Sequence, residues 1–152
     1  DTDIILSTLW SHIDNHKLHD VWNGMNDFRQ IMYNDKLFTP KDFNTEHKKC
    51  LTFIKEAVEE SSAKHIVVVT HHVPSVQCVT SQLLCSPLNS AFIVDLTDYI
   101  ASSRIDFWIY GHSHTNVDTR IGHTEIVSNQ LGYVFTGENR KNGFKNTKFF
   151  EV

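Results

Sequence analysis

Two strongly apolar runs, each ending in histidine, constrain this chain more than anything else in it. Ile66-Val67-Val68-Val69-Thr70 leads straight into His71-His72-Val73-Pro74, and Ile105-Asp106-Phe107-Trp108-Ile109-Tyr110 leads into Gly111-His112-Ser113-His114-Thr115. Apolar runs of this length read as buried strands. Between them, Ser90 to Ser102 has helical spacing, with Phe92, Ile93, Leu96, Tyr99 and Ile100 on one face. A strand, a helix and a second strand make a crossover that sets the strands side by side. Their ends then share one edge of the sheet, where sites in α/β proteins are built. On extended backbone His112 and His114, two apart, point to the same side, whereas His72 points away from His71. Gly111 lets the chain turn and come close to whatever the imidazoles hold. Neutral imidazole is a common ligand for zinc, manganese and iron.

The remaining pattern predicts an α/β chain. Ile4 to Trp10 reads as a strand, and Ser11 to Thr39 as irregular structure with an Asn23-Gly24 turn. Thr45 and Glu46 open a helix carried by Cys50, Leu51, Ile54, Ala57 and Val58. After the second histidine motif come strands at Thr124–Ser128, near Tyr133–Thr136 and at Thr147–Val152. The segment Val76–Asn89 is longer than most connections, so it is expected to overhang the histidines.

Taken together, Val-Val-Val-Thr-His-His-x-Pro and Trp-Ile-Tyr-Gly-His-Ser-His, about 40 residues apart, resemble the last two motifs of the calcineurin-like metallophosphoesterases. The stretches Trp10-Ser11, Asn26-Asp27-Phe28-Arg29 and Ile126 to Tyr133 are similar to segments of the same group. The resemblance implies a four-layer α/β/β/α sandwich and hydrolysis of phosphate mono- or diesters at two divalent ions, manganese, iron or zinc. It assigns His71 and His112 to one ion and His114 to its neighbour. The family's Asp-x-His, Gly-Asp-x-x-Asp and Gly-Asn-His-Asp/Glu motifs do not occur here. Residues 1–152 therefore read as a single partial domain, the C-terminal half of the sandwich, carrying metal ligands but no catalytic residue of its own. The partners expected on this reading are a phosphate-ester substrate and either the missing N-terminal half or a second copy. Two other readings start from the same residues: a non-catalytic scaffold with this fold, or a mononuclear zinc site completed by Asp118 or water.

Composition narrows the classes. A net charge of −4 with interspersed signs gives no case for nucleic acid, and no run approaches the length of a membrane span. Cys50, Cys78 and Cys85 lack zinc-ribbon spacing and fit free thiols in a reducing compartment, hence a cytoplasmic protein. Ten histidines exceed what one site needs. His12, His16 and His19 read as surface residues, and His47, His65 and His123 as residues at element edges. Asn116 reads as a turn residue, and Lys141 to Lys148 as a solvated hairpin.

Overall fold

The computed structural model describes residues 1–151. Its strands are β1 (Thr2–Ser7), β2 (Met32–Tyr33), β3 (Lys36–Leu37), β4 (His65–Thr70), β5 (Phe107–Tyr110), β6 (Thr119–Ile121) and β7 (Thr124–Ser128). Its helices are α1 (Leu18–Gly24), α2 (Asp27–Gln30), α3 (Pro40–Glu60), α4 (Ser81–Leu84) and α5 (Thr97–Ser102), joined by single 3-10 turns. Five strands form one sheet in the order β1-β4-β5-β7-β6, all parallel except β6, which pairs antiparallel with β7. The small β2–β3 ribbon stands apart from it. The protein is therefore mixed α/β with a mostly parallel sheet.

Alternation along the strands selects the covered face. Ile5, Ile66, Val68, Trp108 and Ile126 are buried, and they pack with Ile54 and Val58 of α3 and Ile100 of α5. The opposite face carries Ile4 and Leu6, each 65% exposed, and half-buried Val69, Ile109 and Val127. Phe150 covers part of it by stacking on Phe107 at 4.6 Å. Parallel sheets are ordinarily covered on both faces, so this side is unusually open for its type.

Several elements differ from their predicted extents. The first strand stops at Ser7, because Leu9 is buried with φ +48, a left-handed turn that no strand continues through. Helix α3 begins at Pro40, not Thr45. Thr39 caps it, accepting from the Asp42 amide while the Asp42 carboxylate accepts from the Thr39 amide, and Pro40 suits the first helical position. The predicted helix from Ser90 shrinks to α5. Ile93 forms an isolated parallel bridge with Val73 instead, Val73 N donating to Phe92 O (3.0 Å) and Val94 N to Val73 O (2.8 Å). Residues 134–136 form a 3-10 turn rather than a strand.

The predicted last strand is absent from Thr147 to Glu151, and Val152 lies outside the described residues. Lys148 there reaches Asp118 (2.6 Å) and the Ser128 carbonyl (2.6 Å), so the tail is held by its side chain and not by a ladder. That contact also replaces the expected solvated hairpin. Strand β6 was not anticipated, being three residues long and interrupted by Arg120.

Candidate metal centre

Parallel pairing of β4 with β5 brings the two histidine motifs together. Val69 lies opposite Ile109, so the chain leaves both strands at the same level. The stitching continues beyond the strands: His71 N and His72 N donate to Thr8 O at 3.2 and 3.1 Å, and Gly111 N donates to His71 O at 3.1 Å. The rings of His71 and His112 consequently lie 4.7 Å apart, on the same side of the sheet end. A Cβ at Gly111 would stand 3.4 Å from His71 O and 3.6 Å from His71 Nδ1, in ordinary contact with both.

His72 turns inward, but its ring does not point away from the pair: it lies 5.6 Å from the His71 ring and closer to His112 than His71 does. It is 1% exposed and packs against Trp10, Phe43 and His112 with ring centroids 5.2, 5.7 and 4.3 Å away. Ser11 N donates to its Nδ1 at 3.3 Å, which places the ring proton on Nε2. His112 is sandwiched between His72 and Phe92, the latter nearly parallel at 4.2 Å. The segment Trp10-Ser11 thus builds the floor under the histidines. Beneath it, Phe28, Phe38 and Phe43 form an aromatic cluster with Ile13, Val21 and Met25.

The His-x-His segment is not extended. His112 has φ +69 and His114 φ +52, two left-handed L-residues separated by one position. Each such conformation costs about 1–2 kcal/mol, so surrounding bonds must impose it. They are present. Gln130 Oε1 accepts from His114 N at 2.7 Å, and Gln130 Nε2 donates to Ser113 Oγ (3.1 Å) and Thr115 O (2.9 Å). Asn116 and Gln130 exchange side chain-to-backbone bonds at 3.0 and 2.6 Å, and Asn142 Nδ2 donates to His114 O at 3.1 Å. Asn116 is therefore part of a clamp and not merely a turn residue. Gln130 and Asn142 were not singled out from the sequence.

Burial sets the charge state of the pair. It pushes His112 down to about 3, with His71 and His114 adding to the effect while the Ala91 carbonyl opposes it. Partial burial also lowers His71, opposed by the nearby Asp27 carboxylate and reinforced by His114. Burial holds His72 well below the ordinary imidazole value. All three are neutral at pH 7 and carry a lone pair. His112 Nε2 is sealed from solvent without a well-formed hydrogen bond, an unusual state for a polar atom.

His114 is held differently. Its Nδ1 lies 2.9 Å from Glu138 Oε2, and the Tyr133 ring meets it edge-on at 4.5 Å. Helix α4 and the turns around it face this loop across two clefts. One of about 310 Å³ is lined by Thr80, Gln82, Leu83, Ser86, Ser113 and Thr115. The other, of about 510 Å³, runs from Thr80 and Gln82 to Glu138 and Lys141. The long connection thus faces Ser113 and Thr115 of the histidine loop, while none of the three histidines lines either cleft.

Other candidates fall away from the pair. Both Asp118 oxygens accept from Lys148 and one also from Ser128 N, so that carboxylate is committed elsewhere. This removes the residue suggested for completing a mononuclear zinc site. Burial raises the Cys78 thiol to about 12, and the three cysteines are unpaired. His12 and His19 line a separate groove of about 670 Å³ with Trp22 and Lys48. His47 Nδ1 lies 2.6 Å from Trp10 O and supports the floor.

Among the described residues no three His, Cys, Asp or Glu side chains are grouped so as to hold an ion by themselves. The residues present fit part of a metal centre: two neutral imidazoles close together and a third nearby, without a carboxylate bridging them. No family model matches the sequence. The chain is 28% identical to an uncharacterized protein of Acanthamoeba polyphaga mimivirus, over an alignment of 163 residues. That alignment takes in all of this chain and 56% of the viral protein, so the chain spans about half the length of the curated relative it matches. No helix among the described residues is long and apolar enough to cross a membrane.

Proposed function

We propose that this chain is the C-terminal half of a calcineurin-like metallophosphoesterase domain, a four-layer sandwich that hydrolyses phosphate mono- or diesters. His71, His112 and His114 are its ligands for two divalent ions, manganese, iron or zinc. The observation that carries this reading is the pair of neutral rings 4.7 Å apart at the mouths of neighbouring parallel strands. The left-handed backbone at both histidines of the second motif adds to it, since local strain of that kind gathers at functional sites.

Bound divalent ions supply charge neutralisation at phosphoryl oxygens and an acidified water. The chain's own residues do the rest of what this half contributes. His71 and His112 present lone pairs without a proton to displace, the Gln130–Asn116–Asn142 clamp fixes the loop that carries His112 and His114, and the Trp10–His72–Phe92 stack prevents the His112 ring from tilting. Thr80, Gln82 and Thr115 offer hydrogen bonds to an ester entering the clefts. The bridging carboxylate and the leaving-group acid belong to the complementary half. The open sheet face with Ile4 and Leu6 is where that half, or a second copy, packs. The three unpaired thiols fit a reducing compartment, which supports a cytoplasmic location for it.

The 152-residue chain alone is expected to show no metal-dependent hydrolysis of bis(4-nitrophenyl) phosphate, because it brings fewer than the three protein ligands usual at a catalytic metal. A polypeptide extended N-terminally is expected to be active and to retain metal. Robust turnover by the chain alone sinks the half-site reading, and an inactive, metal-free longer form favours the scaffold. Sedimentation adds a second check. Weight-average mass rising with concentration is expected for the chain alone, and substitution of Ile4 and Leu6 by Thr is expected to suppress it. A strict monomer at every concentration means the open face needs no partner.

A further inference from the structure

Resting on the metal-site reading above, we propose that Glu138 is the positioning residue for His114. Its carboxylate holds the imidazole as the Nδ1–H tautomer and leaves Nε2 as the nitrogen with the lone pair for a metal. Glu138 Oε2 accepts from Tyr133 N at 2.7 Å and lies 2.9 Å from His114 Nδ1. An ionised carboxylate only accepts, so the ring nitrogen facing it carries the proton and the far nitrogen is left with the lone pair. Carboxylate-to-histidine pairs of this kind set ligand orientation at many metal centres.

The backbone that carries the ring is fixed as well, and Tyr133 meets the ring itself. Gln130 and Asn142 hold the His114 amide and carbonyl, and the Tyr133 edge blocks rotation. Those constraints act on a histidine whose side chain is 34% exposed, where a residue that merely filled a loop would need none of them. Glu138 is not itself buried and belongs to a 3-10 turn after β7, so its one structural tie besides His114 and Tyr133 is to its own turn. His71 and His112 have no carboxylate on their rings. The three imidazoles are thus prepared by different means: burial for the pair, a charged hydrogen bond for His114.

Long-range proton–nitrogen NMR of the nitrogen-15-labelled chain at pH 8 reads the tautomer directly. Wild type is expected to show His114 as Nδ1–H. In E138A the ring is expected to pass to Nε2–H or to a mixture, and in the N-terminally extended polypeptide zinc titrated against the His114 signals is expected to bind about 10–100-fold more weakly. E138Q keeps an acceptor oxygen and is expected to restore the Nδ1–H form with part of the affinity. His72, fixed as Nε2–H by Ser11, should not change in any variant and reports that the fold is intact. A wild-type His114 in the Nε2–H form overturns the proposal. So does an E138A variant matching wild type in both tautomer and zinc affinity. A wild-type Nδ1–H ring whose N-terminally extended polypeptide ignores zinc upholds the Glu138 hold on His114 and overturns the metal reading instead.

Discussion

Between pH 6.5 and pH 3 the chain is expected to lose stability steeply, with His112 a large contributor. Its folded value lies at about 3, against 6.5 for an ordinary imidazole, so the unfolded chain takes up a proton that the folded chain refuses. A depressed imidazole leaves stability intact above the unfolded value and removes it progressively as the pH falls toward the folded one. One such group is worth about 1.4 kcal/mol per pH unit within that window, or roughly 4–5 kcal/mol across it. His71, His72 and His47 are lowered too, burial being the first cause for each, so they steepen the same fall. The variant H112F keeps a flat ring between Phe92 and His72 and has no proton to accept. Relative to its difference from wild type at pH 8, it should gain about 2 kcal/mol at pH 5, measured by urea unfolding. Parallel stability profiles for the two proteins would show that the ring is not held neutral by burial.

In a polypeptide carrying the complete site, H112N is expected to lower phosphodiester turnover about a hundredfold or more. Loss of a partner that only orients a metal ligand costs about 10–100-fold, and loss of the ligand itself costs at least the upper end of that range. H72F, by contrast, keeps the ring stack and should reduce activity far less, since His72 faces Trp10 and Phe43. Equal losses in the two variants, with unchanged metal content, would mean that packing and not ligation explains the histidine cluster.

The convergence of His71 and His112 was legible because it depends on topology alone. Two buried runs joined by one crossover must place their ends together, and the apolar content of Ile66–Thr70 and Ile105–Tyr110 declared them. The conformation of the loop was not legible. Left-handed backbone at His112 and His114 is imposed by Gln130, Asn116 and Asn142, which reach back over 12 to 28 residues. No local pattern marks a bond of that range. Glu138 escaped notice for the same reason, as it acts on His114 from 24 residues away. The shortened helix at Thr97 has a parallel cause: Phe92 and Ile93 share a helical pattern with Leu96, Tyr99 and Ile100, but the bridge between Ile93 and Val73 breaks it. The early start of α3 was readable, since Thr39-Pro40-Lys41-Asp42 is a capping sequence.

The central claim is that His71 and His112 bind one metal ion between them. Crystals of the chain soaked in zinc and measured at the zinc absorption edge test it directly. The expected result is an anomalous peak about 2.0–2.1 Å from a ring nitrogen of each residue, without movement of β4 or β5. Zinc found only in the His12–His19 groove, with none between His71 and His112, would contradict it.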